Sequence, residues 1–237
     1  MPGVLRRTVF LRCSLPLAVL VAACGVSPQP SPPISDPPEL DGGLISIGVS
    51  PEGITDSVSI YGGPGSVDPP EGAVVVTNLE TDDAPSIAPV QPDGSFEILL
   101  NGATSNVLRF QVDAETGRSQ PVDLRVTGAD PGVEPAPIDF DCLALEPALW
   151  LPLDGDGDAR SIVLANACAD AITIAAPRLR RGQAGFTFSP TSPIDLDAGD
   201  SVTITVRAAA AQAEDEDVLY FEIVAPTAGR RAITITR

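Results

Sequence analysis

The chain has 237 residues and a formal net charge of −18, with 32 acidic side chains against 14 basic ones, all arginine, and no histidine. Its length fits one large domain or two of about 100 residues each, and its 43% hydrophobic content supplies a buried core rather than wholesale disorder. The acidity disfavours a nucleic-acid partner, which requires a basic surface, and the lack of histidine and lysine removes the usual proton acceptors of near-neutral catalysis.

The first 23 residues carry Arg6, Arg7 and Arg12 and then the apolar run LPLAVLVAA over 15–23. That run is too short to cross a bilayer as a helix, which takes about 20 residues. A basic start, a short apolar centre and small residues before a cut describe a secretory signal peptide. Arg6-Arg7-Thr8-Val9-Phe10 also fits a loose twin-arginine pattern, so both export routes stay open. Val21, Ala22, Ala23 and Cys24 resemble the bacterial lipobox. That resemblance implies cleavage before Cys24, a diacylglycerol on its thiol and acylation of the new amino group; a plain signal peptide with an incidental cysteine is the alternative. A chain starting at Cys24 keeps all 32 acids but loses three of the 14 arginines, which takes the formal charge to −21. Such a body is repelled by anionic headgroups, so the membrane is expected as a partner through lipid and not through charge.

Residues 24–43 are crowded with proline and lack periodicity, and are read as a semi-rigid tether. From 44 to 127, six stretches of strand length follow: 44–49, 57–62, 73–79, 95–100, 106–114 and 121–126. Phe96, Ile98 and Leu100 alternate onto one face, as do Leu108, Phe110 and Val112, and Val122, Leu124 and Val126. Turn residues separate them, notably Pro92-Asp93-Gly94. Short alternating strands at this spacing predict an antiparallel sandwich. GSVDPPEGAVVVTNLET, QPDGSFEILL and LRFQVDAETGRSQPVDL resemble the bacterial immunoglobulin-like domains of surface proteins. Carboxypeptidase-regulatory-like sandwiches are the nearest alternative, and either resemblance implies a fold and not an activity.

Residues 128–139 read as a linker between segments. From 140 to 237, strands are expected at 148–153, 160–166, 171–176, 185–189, 201–208, 218–225 and 232–237. Val202, Ile204 and Val206 share one face, and Leu219, Phe221 and Ile223 another. IVLANACADAITI, FTFSPTSPIDLDAGDSVTITVRA and AGRRAITITR resemble immunoglobulin-like domains of the abnormal-spindle, hydin and major-sperm-protein type. That resemblance implies scaffolding or interaction and no shared catalytic residues. The fold class expected is therefore all-β, two tandem immunoglobulin-like antiparallel sandwiches after a signal peptide (1–23) and a tether (24–43).

Cys13 leaves with the signal peptide and Cys24 takes lipid, so Cys142 and Cys168 remain as an even pair in an exported chain. A structural disulfide is expected, contributing about 3–4 kcal/mol in the chain-entropy account. Zinc is disfavoured because histidine and C-x-x-C spacing are both absent. Asp154, Asp156 and Asp158 alternate as in calcium loops, but the sixth and twelfth positions counted from Asp154 are Ala159 and Ala165, not glycine and glutamate. A polar hairpin turn is the competing reading. The acidic run at 211–219 reads as a solvated loop before a strand. Trp150, Tyr61 and Tyr220 could form a sugar-stacking platform, although strand aromatics more often pack cores. No cofactor and no catalytic residue is expected. The leading reading is a non-enzymatic, lipid-anchored protein of the cell envelope, at the outer membrane or cell surface, acting as spacer or interaction scaffold. The alternatives are a carbohydrate- or calcium-binding adhesin module, and an accessory subunit of an envelope assembly with a protein partner.

Overall fold

The structure, a computed structural model, describes residues 36–49, 57–128, 132–182, 185–209 and 216–237. The expected signal peptide, the lipobox-like stretch with Cys24 and the expected tether as far as residue 35 lie outside the described residues.

The first sandwich is built from β1 (Glu39–Leu40), β2 (Ile45–Val49), β3 (Ser57–Gly62), β4 (Val67–Asp68), β5 (Ala73–Asn78), β6 (Ser86–Pro89), β7 (Phe96–Asn101), β8 (Val107–Ala114), β9 (Gly117–Arg118), β10 (Val122–Val126) and β11 (Val133–Pro135). One sheet runs β2-β3-β7. The other runs β11-β10-β8-β5-β6, with β9 paired to β8. Between them lies a core that includes Ile45, Val58, Ile60, Val74, Leu108 and Phe110. The alternation Phe96, Ile98, Leu100 in β7 is buried, and Glu97, Leu99 and Asn101 between them are exposed. Period-two burial of this kind gives one dry and one wet face.

Two boundaries differ from the sequence expectation. The tether was expected to run to residue 43, but β1 pairs with β4, and Leu40 packs against the first core. Its apolar side chain, set among prolines, finds a hydrophobic edge to cover. The linker expected over 128–139 supplies β11, which pairs antiparallel with β10. Gly132 makes this return possible. Its φ is +84°, and a Cβ there would lie 1.9 Å from the Ile47 carbonyl oxygen, so only glycine fits.

The second sandwich comprises β12 (Leu143–Glu146), β13 (Trp150–Pro152), β14 (Ala159–Asn166), β15 (Ile172–Ile174), β16 (Arg178–Leu179), β17 (Phe186–Ser189), β18 (Ile194–Leu196), β19 (Ser201–Ala208), β20 (Glu216–Ala225) and β21 (Gly229–Thr236). One sheet is β12-β14-β19-β17. The other is β13-β21-β20-β15-β18, with β16 paired to β20. Leu143, Ile162, Leu164, Ile204, Phe221 and Ile233 are among the residues of its core. The first strand changes sheets. β12 pairs with β14, Pro147 interrupts, and β13 crosses to lie parallel to β21, the one parallel pairing among the described strands. Proline offers no amide hydrogen to a ladder, so pairing is interrupted where it falls.

Burial in four strands departs from alternation. β5 is buried at Val74 through Asn78, β8 at Leu108 through Val112, β20 at Asp217 through Phe221 and β21 at Ala232 through Thr236. Each has a core on one face and the other sandwich on its second face. Val218, Tyr220 and Ala232 from the second sandwich form a small apolar cluster with Leu79, against which Val107 packs.

Candidate functional site

The junction of the two sandwiches holds most of the unusual chemistry among the described residues. Arg109 on β8 is 2% exposed. Its Nε and Nη2 each donate to an Asp123 carboxylate oxygen at 2.7 Å. The same guanidinium then reaches into the second sandwich, donating to the carbonyls of Leu149 and Ala232 at 3.1 Å and to Thr234 Oγ1 at 3.2 Å. The planar, forked arginine suits this double duty; a lysine ammonium could not present the fork.

Arg180, 4% exposed, crosses in the opposite direction. Its Nη1 donates to the carbonyls of Thr81 at 2.6 Å, Asp83 at 2.7 Å and Asn78 at 3.3 Å. It thereby ties together three carbonyls of the turn after β5. Tyr220 Oη donates to the Leu79 carbonyl at 2.7 Å. Its ring lies between two guanidinium groups, Arg178 at 4.8 Å and Arg230 at 4.9 Å from the centroid. Burial pushes the Tyr220 phenol up to about 12, against the opposing pull of Arg230 and Arg180. Glu216 receives an ion pair from Arg118 and a hydrogen bond from Thr77 Oγ1 at 3.2 Å.

Beside this junction lies a groove of about 770 Å³. Residues Ala136 to Asp139, the crossing between sandwiches, form one wall. The strap is pinned at each end: the Ala136 amide donates to the Asp123 carbonyl at 3.0 Å, and the Arg230 amide to Asp139 Oδ2 at 3.1 Å. Leu79, Val107, Leu149 and Ala232 give apolar lining, and four arginines line it as well: Arg109, Arg125, Arg230 and Arg231. Arg109 is neutralised by Asp123, and Arg230 by Glu80. Arg125 stands 3.5 Å from Glu134, both side chains being exposed. Arg231 donates to the carbonyls of Phe140 at 3.1 Å and Leu143 at 2.7 Å, and no carboxylate lies within ion-pair distance of it among the described residues. Burial draws its pKa down, partly offset by Asp139 and Asp141.

Cys142 and Cys168 are joined, with Cα atoms 5.0 Å apart. The bridge ties the start of β12 to the end of β14, where Leu143 and Asn166 are paired. Asn166 is buried and fully engaged. Its Nδ2 donates to the Asp170 and Leu196 carbonyls, and its Oδ1 accepts the Cys168 amide. The three aspartates of the 153–158 turn face arginines. Asp154 and Asp158 both pair with Arg160, and Asp156 pairs with Arg237. Donation from the Asp154 amide, ahead of Arg160, holds the Asp158 carboxyl below its usual range. Among the described residues, no group of three or more acidic or sulfur ligands converges as a metal site.

The acidic run was expected to be solvated, yet its described part is not. Glu216 is taken up by Arg118, and Asp217 is 1% exposed. Asp217 Oδ1 accepts the amides of Val218 at 2.7 Å and Arg181 at 3.1 Å, so backbone donors replace water. The three aromatics do not form one platform. Tyr220 is buried in the junction, Tyr61 is 45% exposed on the outer face of β3, and Trp150 donates its indole hydrogen to Thr236 Oγ1 at 2.8 Å. Arg109 and Arg180 were missed as functional residues. Arg109 interrupts the apolar stretch NVLRFQV, and that placement was the available signal; Arg180, within PRLRRG, carried none.

No family profile and no curated protein matches the sequence. Among solved structures, the chain is similar over 40% of its length to WR4, a Caenorhabditis elegans member of the MSP family, at 9% identity and TM-score 0.35, covering 96% of that protein. It is similar to SSP-19, an MSP-domain-like protein of the same nematode, at 17% identity and TM-score 0.35, with 40% of this chain and 97% of that one covered. A protein of unknown function from Porphyromonas gingivalis is similar over 85% of this chain and all of its own, at 14% identity and TM-score 0.30. The sheets themselves establish an all-β, immunoglobulin-like sandwich architecture.

Proposed function

We propose that this is a non-enzymatic, lipid-anchored protein of the bacterial cell envelope, whose two sandwiches work together as a spacer and interaction scaffold. The observation that carries the scaffold reading is the junction: Arg109 and Arg180, both buried, each bind backbone carbonyls of the opposite sandwich. A spacer has to hold its two ends at a fixed separation, and buried charge-assisted hydrogen bonds resist the sliding that an apolar contact allows. The anchor reading rests on Val21-Ala22-Ala23-Cys24 behind a basic, apolar leader. The non-enzymatic reading rests on a chain without histidine or lysine.

The deciding experiment is metabolic labelling with an alkyne fatty acid in a bacterial host. The wild-type chain is expected to take up label and to sediment with membranes, and Cys24→Ser to do neither while both sandwiches fold. Labelling of Cys24→Ser at the wild-type level would refute the anchor. One observation favours the glycan-binding alternative: half-exposed Tyr61 lies on an outer sheet face paired with Ser46 and Glu97. A saturable glycan-array signal lost in Tyr61→Ala would shift the assignment to that reading.

A further inference from the structure

The groove beside the strap is less acidic than the chain as a whole. The chain carries 14 arginines against 32 acids, yet four arginines line this groove against the three acids Glu80, Asp123 and Asp139. Two of those acids are already committed, Asp123 to Arg109 and Glu80 to Arg230. What remains is Arg125 and Arg231 against Asp139, an excess of one positive charge in the lining. Arg125 is held only by an exposed carboxylate at 3.5 Å, and Arg231 by neutral carbonyls.

The position of Arg125 is specific. It pairs across the strands with Val107, so guanidinium and apolar floor adjoin on the same outer face of the sheet. Leu79 and Leu149 extend the floor, and Ile138 on the strap is 66% exposed beside it. The volume, about 770 Å³, lies in the range of small-molecule sites, which are apolar clefts of roughly 300–1,000 Å³ with a few polar groups and favour domain junctions.

We propose that this groove binds a single-chain amphipathic carboxylate, its head at Arg125 and its chain along Val107, Leu79, Leu149 and Ile138. Charge complementarity favours an anion at Arg125, because the lining carries one more arginine than acid in a chain that is strongly acidic overall. The apolar floor selects against small hydrophilic anions, which would lose hydration there without compensation. The proposal does not depend on the lipid anchor.

The chain's one tryptophan, Trp150, is bonded directly to groove residue Leu149 and serves as a local reporter. The test titrates 12-bromododecanoate, below its micelle concentration, into the full-length chain bearing Cys24→Ser, so that no acyl groups compete. Saturable quenching of Trp150 with a matching one-site calorimetric isotherm is expected. Arg125→Ala and Ile138→Asp are each expected to weaken binding at least fivefold, and Arg125→Lys to retain most of it. Both positions are solvent-accessible, and near-ultraviolet circular dichroism checks that the variants stay folded. The proposal is overturned if quenching and isotherm are both absent, or if the variants bind like the parent. Equal binding of the bromododecyl trimethylammonium cation also sinks it. So does binding confined to anionic vesicles or an acidic peptide that dodecanoate fails to displace.

Discussion

Arg109 and Arg180 are both arginines in dry surroundings, but they are neutralised differently. Arg109 meets a carboxylate in a bidentate pair and then three neutral acceptors, whereas Arg180 meets carbonyls alone. Replacing Arg109 with leucine strands Asp123, which is about one-fifth exposed, and removes three cross-junction bonds. The expected loss is about 3–5 kcal/mol of unfolding free energy, read from urea midpoints. Asp123→Asn with Arg109 intact should cost at least as much, because it leaves the buried guanidinium without its carboxylate, whereas a stranded Asp123 keeps some access to water. Tyr220 gives a sharper signature. Its folded pKa of about 12 lies above the ordinary tyrosine value near 10, so the folded state holds the phenol proton more tightly. Stability from this group is complete below pH 10 and drains away as pH rises from about 10 to 12. Tyr220→Phe is expected to cost about 1–2 kcal/mol at neutral pH, through the unpaired Leu79 carbonyl, and to flatten that alkaline decline. Denaturation curves at pH 7, 10 and 11.5 check both effects.

At the scale of elements, the informative strands are those buried on both faces. Alternation in SFEILL and SVTITVRA marks strands with a wet side, and their dry residues stand where the pattern puts them. AVVV in β5 and VLYF in β20 run apolar without alternating, which is the pattern of strands covered twice. The signal for a packed junction was therefore present in the sequence, but alternation elsewhere in the same strands concealed it. Eight short strands, among them β1, β11 and β18, were not legible. Two to four residues carry too little periodicity, and their pairing is decided by tertiary neighbours. The groove was not legible either, since Val107, Leu149 and Arg231 converge only once both sandwiches are in place. The disulfide closes the β12–β14 edge across 26 residues of sequence. Cys142→Ala with Cys168→Ala should lower stability by about 3–4 kcal/mol. The wild-type chain should show two fewer titratable thiols before reduction than after.

At the scale of the whole molecule, two hydrophobic cores share one polar-laced junction. A junction with this many buried donors should couple their unfolding. One thermal transition is expected, with calorimetric and van't Hoff enthalpies in agreement. Arg109→Ala combined with Arg180→Ala should split it into two. Two separate transitions in the wild type would contradict the coupling.

The docking of residues 36–43 onto the first sandwich sets the length of the leash. With the proposed lipid on Cys24, only the twelve residues 24–35 remain between the anchor and the packed body. Fully drawn out, they reach about 40 Å, near 3.4 Å per residue, whereas a tether running to residue 43 would reach about 70 Å. Under the proposed anchor, the shorter reach is the upper bound on the distance between the lipid and the packed body. Inserting or deleting residues in 24–35 is expected to change that bound by about 3 Å each.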